Sequence, residues 1–217
     1  MGFDLVVFDL DGTLVDSRRD LADSVNALLS EYGASHLSEQ MVGAMVGDGA
    51  RQLVERALAA SGIVAPIDAA LAHFLELYDE RLVVHTQPYD GVPQMLDALK
   101  ARRIGRAVFT NKPQAAAERV LDALDLSQWF DAGVIGAEAA HPRKPDPAGL
   151  LALAALAGTS IDRTLLVGDA SQDVETARRA GARMCVARYG FGFPTAETVL
   201  DGSEIVIDSA AELLAHL

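Results

Sequence analysis

The segment Val6-Val7-Phe8-Asp9-Leu10-Asp11-Gly12-Thr13-Leu14-Val15 constrains the fold of this chain more than any other. A short apolar run, β-branched and aromatic, ends in two carboxylates two residues apart, then a glycine and a hydroxyl residue. Such a run, bounded by a turn signal, reads as a buried strand. Residues two apart on a strand project to one side, so Asp9 and Asp11 converge just past the strand's carboxyl end. In open α/β sheets that is where ligands bind. Asp-Gly is also a strong turn signal by itself, and a plain turn is the alternative. An EF-hand calcium loop fits poorly, because Gly12 follows the second Asp directly.

A nucleophilic carboxylate beside a carboxyl acid or base needs partners, and three later segments carry them. Arg106-Ala107-Val108-Phe109-Thr110-Asn111-Lys112 is a second apolar strand, ending in a hydroxyl and an amide. Thr110 can donate to a phosphate oxygen there; equally, Thr and Asn favour helix N-caps. His141-Pro142-Arg143-Lys144-Pro145-Asp146-Pro147 holds a lysine between prolines, in a loop of restricted conformation. Lys144 can balance a carboxylate and a phosphate together, or be a solvated loop lysine. The chain has only three lysines, Lys100, Lys112 and Lys144, and two of them fall in these segments. Leu165-Leu166-Val167-Gly168-Asp169-Ala170-Ser171-Gln172-Asp173 repeats the pattern of strand, glycine and acid. Asp173 opens a helix and either caps it or sits near its positive end. Asp169 has no such structural use, since clustered acids are costly unless paired or metal-bound. With Asp9 and the main-chain carbonyl of Asp11 it makes an oxygen-only set suited to Mg²⁺.

In this order and spacing the four segments resemble the haloacid dehalogenase superfamily of phosphotransferases. DLDGT is similar to its first motif, FTN to its second, RKPDP to its third and GDASQD to its fourth. The resemblance spans nearly the whole chain. It implies a doubly wound parallel α/β sheet of strand order 5-4-1-2-3, the first motif on the central strand, and a mobile cap inserted into the core.

The rest of the chain fits that outline. From about residue 92 onward, apolar periodicity alternates between helix and strand, the signature of parallel α/β architecture. Strands are expected at 105–110, 132–135 and 164–167, then two more short ones. Helices are expected over about 114–124, from 147, over 171–180 and from 209. Residues 16–84 break the pattern. Leu21, Val25, Leu28, Leu29 and Tyr32 form a helical stripe that Gly33 terminates. Leu53, Val54, Ala57 and Leu58 form a second, and Leu71, Phe74, Leu75, Tyr78 and Leu82 a third. The chain therefore divides into an α/β core over 1–15 and 85–217 and an all-helical cap over 16–84, whose stripes read as bundle core.

Half of the 217 residues are hydrophobic, enough for a sizeable core. A net charge of -13 argues against nucleic acids and anionic membranes as partners. The single cysteine, Cys185, lies in an apolar run and reads as a buried strand residue. The apolar N-terminus is broken by Asp4 and Asp9, unlike a signal peptide, and no run approaches the length of a membrane span. The expectation is a cytoplasmic monomer or homodimer acting on a small phosphate ester.

The resemblance makes Asp9 the nucleophile. A carboxylate is ionised at neutral pH and needs no base before it attacks. In-line attack on phosphorus gives an aspartyl-phosphate. Mg²⁺ on Asp9, Asp11 and Asp169, together with Lys144, offsets the repulsion between anions, with Asp173 in support. Thr110 and the loop amides near Asp11 and Gly12 hold the transferring oxygens, and Asn111 joins them at the substrate. Asp11 protonates the leaving alkoxide and then deprotonates the attacking water. Dehalogenases of the superfamily lack that second Asp, which places this chain among the phosphatases.

Three segments also resemble bacterial phosphoglycolate phosphatases: Val46-Gly47-Asp48-Gly49-Ala50-Arg51 and its helix, Pro88-Tyr89-Asp90-Gly91-Val92, and Thr110-Asn111-Lys112-Pro113. A glycine-rich turn opening a helix is an anion receptor. Arg51, in its first turn, either grips the carboxylate of 2-phosphoglycolate or faces water. The cap has no lysine, unlike phosphonoacetaldehyde hydrolases, and no His-Lys pair, unlike β-phosphoglucomutases. A sugar phosphate or pyrophosphate as substrate, and a non-catalytic binding role on the same fold, are the alternatives.

Overall fold

The computed structural model describes residues 2–137 and 140–217. The chain begins with β1 (Leu5–Phe8) and β2 (Val15–Asp16). Four helices follow: α1 (Arg18–Glu31), α2 (Glu39–Gly43), α3 (Ala50–Ala60) and α4 (Ile67–Asp79). Then come β3 (Gln87–Pro88), α5 (Val92–Ala101), β4 (Gly105–Pro113), α6 (Gln114–Ala123) and β5 (Val134–Ala137). The chain closes with α7 (Ala148–Leu156), β6 (Thr164–Gly168), α8 (Ser171–Ala180), β7 (Arg183–Ala187), α9 (Phe193–Glu197) and β8 (Ile205–Ile207).

Six strands form one sheet in the order β5-β4-β1-β6-β7-β8, every neighbouring pair parallel. This is the expected doubly wound order, with a sixth strand added beyond the fifth. The unbroken apolar run of β1 follows from its place at the centre. Val6 and Phe8 enter one core layer with Leu96, Leu99 and Leu121, while Leu5 and Val7 enter the other with Leu150, Leu153 and Val174. A strand covered on both faces has no polar side to show. Cys185 is fully buried on β7, as the sequence suggests. The last helical segment is 3₁₀ rather than α, over Ala210–Ala215.

The four helices α1 to α4 stand between the first and second core strands. The first stripe is buried from Leu21 to Leu29, but Tyr32 falls at the helix end and is 43% exposed. Gly33 ends the helix with φ 69, a left-handed conformation that costs glycine little. The second stripe is buried throughout. On α4, Phe74 and Tyr78 are buried and stacked with ring centroids 5.7 Å apart, while Leu71 and Leu75 are half-buried. Where the chain leaves and rejoins the core, β2 and β3 pair antiparallel. Beside them the buried carboxylate of Asp20 accepts from the backbone N–H groups of Val84, His85 and Thr86, fixing the returning strand to α1. Among the described residues no helix is long and apolar enough to cross a membrane.

Candidate active site

The carboxyl ends of β1, β4 and β6 meet at one point of the sheet. Asp9 follows β1 directly, and its N–H donates to the carbonyl of Val167 on β6 at 2.8 Å. The chain then turns tightly, with Leu14 and Val15 both donating to the carbonyl of Leu10. Gly12 makes this turn possible in two ways. Its φ is 93, and a Cβ there would lie 2.1 Å from Asp169 Oδ2. The glycine therefore lets the first loop close onto the acid at the end of β6.

Three buried carboxylates cluster here: Asp9, Asp169 and Asp173 bring one oxygen each within 4.8 Å of one another. Lys144 Nζ sits between two of them, 2.6 Å from Asp173 Oδ1 and 2.8 Å from Asp9 Oδ1. The approach to Asp9 is too oblique to be a hydrogen bond, so Asp9 Oδ1 is a buried oxygen with a charge beside it and no aligned donor. Asp169 accepts from Thr13 Oγ1 at 3.2 Å and from the Gly192 N–H at 2.7 Å. Asp173 has both oxygens engaged, one by Lys144 and one by the Ala170 N–H at 3.0 Å. It caps α8 and anchors Lys144 at once.

The electrostatics follow from burial and crowding. Burial raises the Asp9 carboxyl to about 6, against the pull of Lys144 and with the push of Asp173. Burial, with Asp9 and Asp173 as neighbours, puts Asp169 well above the usual carboxylate range. Lys144 is held above its ordinary value by Asp173 and Asp9, which outweigh its own desolvation. With Asp11 and Lys112 included and every acid ionised, four carboxylates face two ammonium groups. The residual charge of about two negatives is what a divalent cation carries, and the donors are all oxygen, which suits a hard metal. Asp9 and Asp169, whose oxygens have spare lone pairs, are the side chains that would hold it. The Asp11 side chain is outside the cluster.

A cavity of about 50 Å³ lies between this cluster and the helical insertion. Asp9, Asp11 and Thr110 line it from the sheet; Leu53, Phe74 and Tyr78 line it from α3 and α4. The stripe residues taken as bundle core are thus partly cavity wall. Thr110 is buried, its Oγ1 accepting from the Lys112 N–H at 3.2 Å, which leaves the hydroxyl proton for another acceptor.

Two expected substrate contacts are placed otherwise. The Asn111 side chain donates to the carbonyls of Gly47 and Lys144 at 2.8 and 3.0 Å and accepts from the Lys144 N–H at 2.8 Å. It touches the cavity, but its amide is spent on holding the Lys144 loop and the insertion together. Arg51 does not reach the cavity at all. It pairs with Asp68 at the start of α4, with Glu55 a further 3.8 Å neighbour, and is partly solvated. The glycine turn does open α3, but Arg51 leaves the helix on its outer side.

Sequence reasoning passed over Lys112 and Tyr78. Lys112 lies in the second motif segment, and its ammonium is 3.1 Å from both Asp11 oxygens. It also donates to the Tyr78 hydroxyl of α4, and it stands 4.7 Å from that ring's centre. Ser17 completes the set by donating to Asp11 Oδ1 at 2.6 Å. The scarcity of lysine and the resemblance of Thr110-Asn111-Lys112-Pro113 were the available signals for Lys112.

A carboxylate end-of-strand cluster on a doubly wound sheet, with a threonine from β4 and a lysine from the segment before α7, is the arrangement of a hydrolase of the haloacid dehalogenase-like family. The chain belongs to that family, whose model matches residues 6–187. Within it the chain is a phosphatase, a phosphoric monoester hydrolase. Phosphoglycolate phosphatase 1 of Pseudomonas aeruginosa is 40% identical over 217 residues, covering 97% of this chain and 78% of that protein. A phosphoglycolate phosphatase of Rhodospirillum rubrum is 40% identical over 215 residues, covering 96% and 88%. Among solved structures, a predicted phosphoglycolate phosphatase from Haemophilus somnus superposes with a TM-score of 0.90 at 31% identity, covering 99% and 97% of the two chains.

Proposed function

We propose that this phosphatase is Mg²⁺-dependent, works through an aspartyl-phosphate on Asp9, and takes 2-phosphoglycolate as its substrate. The observation that carries the reading is the cavity itself. It joins Asp9, Asp11 and Thr110 to a single buried ammonium, Lys112, in a space that holds about four waters at 10–15 Å³ each. Such a site fits a compact phosphate ester with a second anionic group better than a bulkier, uncharged sugar carrying one phosphate. The names of the similar proteins point the same way.

The residues divide the work as follows. Asp9 attacks phosphorus as the ester P–O bond breaks. Thr110 donates its free hydroxyl proton to a transferring oxygen, and Lys144 neutralises charge beside the nucleophile. Asp11 gives a proton to the leaving oxygen, then takes one from the water that releases phosphate from Asp9. Asp9 and Asp169 would hold a divalent cation, which would add neutralisation of the phosphoryl charge. Residues 16–84 serve as a cap that closes the cavity against water; the support is that α3 and α4 form its far wall.

Phosphate release from a panel of small esters tests this, with Mg²⁺ and after exhaustive chelation. The expected result is highest kcat/KM on 2-phosphoglycolate and no turnover without metal. A preference for sugar phosphates or pyrophosphate overturns the substrate, and full activity in chelated enzyme overturns the metal.

A further inference from the structure

Lys112 is the one lysine or arginine among the described residues that line the cavity, and it is nearly inaccessible, with 2% of its side chain exposed. Its surroundings on the insertion side are apolar, with Leu53, Phe74 and Leu75 beside Tyr78. In such a medium an ion pair is far stronger than in water, so an ammonium placed there selects for negative charge. Yet its partner in the structure is Asp11, the group that must deliver a proton to the leaving oxygen.

We propose that Lys112 is the specificity-determining residue, and that it reads the substrate's carboxylate by exchanging Asp11 for it. This rests on the phosphoglycolate reading above and names the contact that would enforce it. In phosphoglycolate one methylene separates the carboxylate from the ester oxygen. A cation that moves from the Asp11 carboxylate to the substrate carboxylate therefore leaves the ester oxygen beside Asp11, now free of its ion pair. Tyr78 is the positioning residue: its hydroxyl accepts from Lys112, and its place on α4 ties the ammonium to the insertion. An ester with no carboxylate leaves Lys112 on Asp11 and gains neither the binding contact nor the release. Discrimination then comes from the same ammonium that restrains the proton donor.

The test uses the Mg²⁺-loaded enzyme and two pairs of probes. The first pair is phosphoglycolate and p-nitrophenyl phosphate as substrates. Lys112→Met keeps the length and removes the charge; its kcat/KM should fall roughly 10- to 150-fold further on phosphoglycolate than on p-nitrophenyl phosphate, the range expected for one charge-assisted hydrogen bond. Lys112→Arg should restore much of the difference. The second pair is 3-phosphonopropionate and propylphosphonate, inhibitors that differ only in the carboxylate. Wild type should bind the first more tightly, and Lys112→Met should erase that preference. Equal losses on both substrates, or an inhibitor preference that survives in Lys112→Met, overturns the proposal. A wild type that hydrolyses p-nitrophenyl phosphate but not phosphoglycolate overturns the substrate reading instead, and the inhibitor pair still decides the role of Lys112. Should Lys112→Met not fold, loss of the inhibitor preference in Tyr78→Phe supports the proposal, and its full retention there overturns it.

Discussion

Lys144 donates to Asp173 at 2.6 Å, and this bond holds a cation against the nucleophile in a cluster whose other charged members, Asp169 and Asp173, are acids. Removing one partner of a buried pair costs about 3–5 kcal/mol, because the other charge is left unbalanced. Lys144→Met should therefore lower the melting temperature in chelator by many degrees, and Mg²⁺ should recover part of the loss by supplying positive charge. Scanning calorimetry with and without metal measures both. An unchanged melting temperature in chelator would show that Lys144 has no such part in the fold.

The nucleophile gives a second test with a pH sign. Burial lifts the Asp9 carboxyl from 3.8 to about 6, so the folded protein holds that proton more tightly than the unfolded chain. Its contribution is therefore full at acid pH and is lost as pH rises through about 4 to 6. Asp9→Asn resembles the neutral form at every pH. In chelator the variant should gain stability over wild type near pH 7.5, by up to about 3 kcal/mol, and lose that advantage below about pH 4. Phosphatase activity should fall to background at the same time. Urea titrations at the two pH values check the first part, and appreciable turnover by a verified Asp9→Asn protein would sink the second.

Gly12 offers a test of geometry free of charge effects. A methyl group at this position would sit 2.1 Å from Asp169 Oδ2, on a backbone with φ 93. Gly12→Ala must displace either the loop that carries Asp11 or the acid on β6. The strain of a non-glycine residue there costs on the order of 1–2 kcal/mol before the clash is counted. We expect a destabilised protein whose Mg²⁺ requirement rises at least several-fold. Wild-type metal dependence in this variant would mean that the approach of Gly12 to Asp169 does not shape the metal site.

The core and its charges were legible in the sequence because short-range pattern dictates them. β1 and β6 are continuous apolar runs since both faces of the sheet are covered, and each delivers its acid at the strand end. The insertion was less legible. β2 and β3 are two residues long and carry no alternation to detect. The α4 stripe has helical spacing whether it packs in a bundle or walls a cavity, so Phe74 and Tyr78 could not be told from core. Side-chain direction was the other missing quantity. Arg51 and Lys112 are both cations next to motif glycines or hydroxyls, and only the fold shows that one turns outward and the other inward.

For Arg51, which the sequence leaves between a carboxylate grip and a solvated helix arginine, the structure shows the second. The glycine turn before α3 suggests an anion receptor with Arg51 as its grip, but the guanidinium pairs with Asp68 across to α4 and has 42% of its side chain exposed. Asp68 itself is 89% exposed, so the pair is a surface one. Such solvent-screened pairs contribute little to stability. Arg51→Ala should then change kcat/KM by less than about fivefold, with the same small factor on phosphoglycolate and on p-nitrophenyl phosphate. The melting temperature should move by only a degree or two. A carboxylate contact would give a different pattern, roughly 10- to 150-fold on phosphoglycolate and little on the other ester. Steady-state kinetics on the two substrates separates these outcomes. A selective loss on phosphoglycolate would mean that Arg51 abandons Asp68 and swings into the cavity when substrate binds, and would return to it the recognition that the structure gives to Lys112.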